Sequence, residues 1–152
     1  MTVRELCYLL VFVSTLSASG ESVPEGYAIM PQSEGPALIR QCSRFAPKHI
    51  TRFWTPSVPQ VQAIEQRLVE LLKGSGHHIK LVDSRRQYIG VFTRGKKLIY
   101  LNAFPASALD APDHIDWRKT AFTACDGGDV FWGVEFDSAT NSFANLAFNG
   151  DA

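Results

Sequence analysis

The sequence predicts an α+β fold: one main amphipathic helix packed on a four- to five-stranded antiparallel sheet. Two observations predict it. Between Ser57 and Lys73, apolar residues recur at three- and four-residue steps, the period of one helix face. From Ile79 onward the period changes to two, in runs rich in β-branched and aromatic residues. A helix followed by a block of strands segregates into a helix layer and a sheet layer.

The elements follow in order. Met1 to Glu5 is a short polar start carrying Arg4, Leu6 to Leu16 is an apolar run of eleven residues, and Ser17 to Gly20 is small. That order reads as a secretory signal peptide over 1–20, cleaved near Gly20. The apolar run is too short for a bilayer, which takes roughly 20 residues. No later stretch is apolar for long enough to span, so no membrane span is expected. Residues 21–36, rich in Pro, Gly, Ser and Glu, read as an extended or loosely held lead-in. The remainder, 37–152, is expected to form a single α+β domain. Within it, Ala37–Phe45 holds a short helix before Pro47.

The main helix has Ser57 as N-cap, Pro59 in its first turn and Gln60 placed for a capping box. Val58, Val61, Ile64, Leu68, Leu71 and Leu72 form its apolar stripe, with Glu65 and Gln66 pointing elsewhere. Gly74-Ser75-Gly76 ends it. Strands are expected at Gln87–Thr93 and Lys97–Phe104, joined by a turn at Arg94-Gly95-Lys96. Pro105 to Asp116 reads as a loop. Further strands are expected at Thr120–Cys125, Val130–Asp137 and Ser142–Phe148, with turns at Asp126–Asp129 and Ser138–Asn141. The simplest packing lays the helix stripe across one sheet face, cystatin-like by analogy.

Charge and cysteine usage bound the function. From Arg40 to Lys97 twelve Lys and Arg face three acids, whereas from Leu98 onward two cations face eight acids. This asymmetry is either a basic face for an anionic partner or two segments that cancel in the fold, and cancellation is favoured because no long like-charge run occurs. A neutral total argues against nucleic-acid binding. With Cys7 removed, Cys42 and Cys125 remain, and an exported chain with two cysteines is expected to bridge them. A catalytic thiol is the rival reading, but nothing places a His beside either sulfur.

The motif search assigns no catalytic residue, no metal site and no cofactor. Asp126-Gly127-Gly128-Asp129 lacks the acid ladder of a calcium loop and suits a tight turn. No zinc pair, nucleophile elbow, Walker loop or dinucleotide pattern occurs. In Val130–Asp137 the alternation puts Val130, Trp132, Val134 and Phe136 on a core face and Phe131, Gly133, Glu135 and Asp137 on a mostly polar one. The hairpin looks apolar on both faces, so its second face is either covered by the N-terminal segment or a binding surface. The candidate binding surface comprises Arg85, Arg86, Tyr88, Lys96, Lys97, Tyr100 and Asn102, because Arg and Tyr are enriched at interface hot spots. In the alternative, Arg86 pairs with an acid of the C-terminal strands.

The chain resembles a group of small, uncharacterised exported bacterial proteins. The resemblance rests on Phe53-Trp54-Thr55-Pro56, on Glu65 and Leu68, on Arg86 to Val91, and on Ile99 to Pro105. It continues through the stretch from Cys125 to Asp137 (CDGGDVFWGVEFD) and through Phe143 to Ala152. It implies a bacterial source and assigns no site. The expectation is a periplasmic or secreted binding domain, inhibitor or immunity-type, with an envelope or secreted protein partner. The alternatives are a small hydrolase using Asp126, Arg86 and Asn102, and a structural envelope protein without a ligand.

Overall fold

The structure, a computed structural model, describes residues 26–110 and 115–150. The leader expected over 1–20, together with Asp113 and His114, lies outside the described residues. The fold is α+β, with six strands among the described residues in one mostly antiparallel sheet. In chain order these are β1 (Tyr27–Ile29), α1 (Gly35–Leu38), β2 (Ile50–Trp54), α2 (Val58–Lys73), β3 (Ser84–Thr93), β4 (Lys96–Pro105), β5 (Trp132–Asp137) and β6 (Ser142–Phe148). Strands β3 to β6 are sequential neighbours, each antiparallel to the next. Both β1 and β2 occupy the outer edge of β3. β2 runs antiparallel along its Gly90–Thr93 half, and β1 runs parallel along Arg86–Tyr88.

Within the stretch read from sequence as an extended or loosely held lead-in, Tyr27–Ile29 is the extended strand β1. From Tyr27 on, this segment is a strand with Tyr27, Ala28 and Met30 buried. Three residues are too few to show a period, so a composition of turn formers dominated the reading.

α2 spans 16 residues. Ser57 is its extended N-cap, and its backbone N–H donates to Gln60 Oε1 at 3.0 Å. Val61, Ile64, Leu68 and Leu72 are buried against Tyr88, Ile99, Leu101, Trp132, Val134 and Phe136 on one sheet face. Gly76, rather than Gly74, takes the left-handed conformation past the helix end (φ 79°). Among the described residues, no helix is long and apolar enough to cross a membrane.

The opposite face carries Ile89, Val91, Leu98, Tyr100 and Phe104, and it is covered rather than exposed. Met30, Leu38, Ala46 and Trp117 pack onto it. The Cys42–Cys125 disulfide, with Cα atoms 4.9 Å apart, joins the two covering segments.

Several boundaries differ from expectation: the short helix is Gly35–Leu38 rather than Ala37–Phe45, and β3 begins at Ser84 rather than Gln87. Arg94-Gly95 forms a two-residue turn with both φ positive (47° and 76°), and Lys96 already pairs with Thr93 inside the sheet. Val130 belongs to a short 3-10 turn, Gly128–Val130, so β5 starts at Trp132. Thr120–Cys125 is not a strand. It crosses the back face, and side chains rather than a neighbouring strand satisfy its backbone. Gln87 donates to Thr120 O at 2.7 Å and accepts from Phe122 N–H at 2.9 Å, while Asn102 donates to Phe122 O at 2.8 Å. Glu34 accepts from Ala121 N–H at 2.8 Å. The alternation of this stretch is real, but its partners are amides projecting from β3 and β4.

Candidate functional site

The residues expected to form one binding surface are dispersed. Side chains alternate faces along a strand. Arg86 and Tyr88 therefore point toward α2, whereas Tyr100 and Asn102 point to the back face. Arg86 is buried and holds Glu65 of α2 with two hydrogen bonds, 2.7 and 2.9 Å, besides donating to Leu81 O and Ser84 O at 2.9 and 3.0 Å. Its partner is thus a helix residue, not an acid of the C-terminal strands, and Glu65 turns inward. Tyr88 donates to Glu65 Oε1 at 2.6 Å; burial, aided by the Glu65 charge, pushes its phenol well above the ordinary value.

On the back face, Tyr100 is buried above Gly133, where an added Cβ would stand 2.6 Å from the hydroxyl. Burial raises its pKa, against the lowering influence of Arg44. Asn102 accepts from Arg44, whose guanidinium also donates to Asn149. These four, with Gln87, serve the packing of the covering segments. Arg85 sits 6.0 Å above the Trp117 ring near the far end of β3, roughly 30 Å of strand away from Lys96. The hydrolase trio fails geometrically as well. Arg86 and Asn102 lie on opposite faces, and Asp126 is exposed in a loop.

What the fold does bring together is a cleft of about 570 Å³ on the back face, at the β3–β4 turn end. Its floor is Leu98, Glu135 and Ala144, its far wall is Thr140, Ser142 and Asn145, and Phe45, Lys48, Arg94 and Lys96 stand at its rim. The covering segments stop short of this corner, which leaves Ser142, Ala144 and Asn145 of β6 exposed. Glu135 is 7% exposed and accepts from Asn145 Nδ2 at 2.9 Å. Burial raises its carboxyl pKa, opposed by the Asn145 hydrogen bond and the Lys96 charge. Asp137, two residues on, lies 4.0 Å from Lys96 Nζ and accepts from Ala139 N–H at 2.9 Å. Asn145 reaches Glu135 because β6 is bulged there, with Asn145 at φ 55°.

Of the sequence-derived set, the cleft retains only Lys96, with Lys97 on the neighbouring surface, where its ammonium lies 4.0 Å above the Trp54 ring. Glu135 and Asp137 were readable as the polar side of β5. Phe45 and Lys48 carried no signal, since only the pairing of β2 with β3 brings 45–50 beside the hairpin turn, where Arg94 stands. Compared with protein-family models, curated proteins and solved structures, the chain matches none.

Proposed function

We propose that this chain is a small exported domain of the bacterial envelope that binds a partner protein non-enzymatically, as an inhibitor or immunity-type factor. The observation that carries the reading is β6. It ends the strand order, its seven residues include neither a charge nor a proline, and it borders the open cleft. Edge strands are ordinarily guarded by charge, proline or distortion, and one without charge or proline keeps its regular stretches as a template for an added strand. Here the bulge at Asn145 is the one such device within the strand. A helix crossing the β2–β6 meander is the arrangement that motivates the cystatin-like comparison, which belongs to this proposal. Export over 1–20 with cleavage near Gly20 is part of it too, and the disulfide is consistent with an oxidising compartment.

The test is capture from envelope extract with the tagged mature protein, beside Ala144→Lys. Ala144 is exposed where β6 lines the cleft, so the substitution charges that edge and the cleft beside it without touching the core. The wild type is expected to enrich a partner that the variant loses at unchanged melting temperature. Equal enrichment by both removes β6 as the docking edge.

A second reading, a small hydrolase, draws on Glu135, a carboxyl raised by burial beside Asp137 in a cleft. It requires that the wild type cleave an envelope glycan or peptide and that Glu135→Gln abolish turnover while folding normally. Absence of wild-type turnover on such substrates ends it.

A further inference from the structure

The end of the molecule above the cleft is strongly basic. Lys48, Arg94 and Lys96 are exposed and line the cleft, while Arg52 and Lys97 are exposed at the same end of the sheet on its α2 side. Arg52 stacks on Phe92 at 4.2 Å and Lys97 on Trp54 at 4.0 Å, so aromatic faces hold these cations in place while their charges stay exposed to water. Among the described residues, the acid paired with this group is Asp137, 4.0 Å from Lys96. Two other C-terminal acids are engaged elsewhere: Asp116 with Lys119 at 3.2 Å, and Asp129 with His77 at 3.1 Å. The basic segment thus meets C-terminal acids at Lys96–Asp137 and His77–Asp129, while Lys48 and Arg94 stay exposed at the cleft.

We propose that this basic tip and the cleft beneath it dock an acidic segment of the partner protein. The inference rests on the protein-binding reading above and adds the chemistry of the partner. Charge complementarity selects an anion. The shape selects a chain rather than a membrane, because Lys48, Arg94 and Lys96 line a concave opening bordered by the β6 residues Ser142, Ala144 and Asn145. Phe45, 44% exposed at the rim, offers an apolar contact to a peptide side chain. Glu135 lies at the floor, 7% exposed and hydrogen-bonded to Asn145, and Asp137 is beside Lys96, so the rim cations rather than the floor carboxylates meet an incoming chain.

The experiment uses the full mature protein with three probes: a fluorescent oligoglutamate peptide, the matching oligolysine, and phosphatidylglycerol vesicles. The wild type is expected to bind oligoglutamate at low salt, to lose that binding as salt rises, and to ignore oligolysine. Lys48→Glu with Lys96→Glu is expected to weaken binding by about tenfold or more. Both side chains are exposed, and melting temperature checks the fold. Lys96→Gln provides a milder variant expected to fall between the two. Vesicle binding equal to or tighter than peptide binding assigns the tip to a membrane and overturns the proposal, as does peptide binding unaffected by the double reversal.

Envelope capture separates the two readings. Loss of capture with Ala144→Lys but not with the double reversal overturns the acidic dock alone. The opposite pattern overturns the β6 edge and leaves the dock standing.

Discussion

Arg86 shows how one side chain can look like an interface residue in sequence and be a structural one in the fold. Its guanidinium is 6% exposed and spends its donors on Glu65 and on two backbone carbonyls that cap the short turn Leu81–Asp83. Gly26 is placed for the same group: a Cβ there would stand 2.9 Å from Nη2. Arg86→Glu would set two carboxylates against each other beneath α2, and breaking a buried pair in this way costs about 3–5 kcal/mol. The expected outcome is a large fall in denaturation midpoint, measured by urea unfolding; an unchanged midpoint would refute this role. Glu135 makes a second prediction, through pH. Its folded-state pKa is raised, so the native state holds this proton more tightly than the unfolded chain. Its contribution therefore favours folding below the ordinary Glu range, near pH 4, and is lost as pH rises through the folded value. Glu135→Gln is expected to flatten the fall in melting temperature over that interval, and parallel wild-type and variant curves would contradict it.

At the scale of elements, legibility tracked length and periodicity. α2 is readable from Val61, Ile64, Leu68 and Leu72 because sixteen residues give the period four repeats. β6 is readable because Ser138–Asn141 punctuates it cleanly. β1 has no such span, and Thr120–Cys125 has the right alternation in the wrong setting. Gln87 and Asn102, buried at 0% and 2%, supply its hydrogen bonds, and local sequence carries no mark of amides two strands away. The cleft is half readable for the same reason. Glu135 and Asp137 alternate visibly along β5, but Lys48 reaches them through the pairing of Ile50 with Thr93. The α2 stripe yields the sharpest element-level test. Leu68 is fully buried and Gln66 exposed, so Leu68→Ala should cost about 2–5 kcal/mol and Gln66→Ala almost nothing. Equal effects in chemical denaturation would mean that α2 packs by another face.

The whole molecule is a sheet with two unlike covers. α2 seals one face with a continuous stripe, whereas the other face is closed by irregular segments that bury their backbone through Gln87, Asn102 and Asn149. Such a cover has little regular structure of its own to hold it in register. The Cys42–Cys125 bridge supplies that constraint, joining residues separated by 83 positions. For a loop of that length the chain-entropy model gives about 4–5 kcal/mol, an upper figure because native strain subtracts. Cys125→Ser is accordingly expected to cost about 2–5 kcal/mol. The loss should be uneven. Hydrogen exchange at Ala121 and Phe122, whose N–H groups rest on Glu34 and Gln87, should accelerate before that of β3 and β4. The purified protein should also titrate no free thiol when denatured without reductant. Two reactive thiols in that assay, or uniform loss of protection across the sheet in the variant, would show that the back cover does not depend on the bridge.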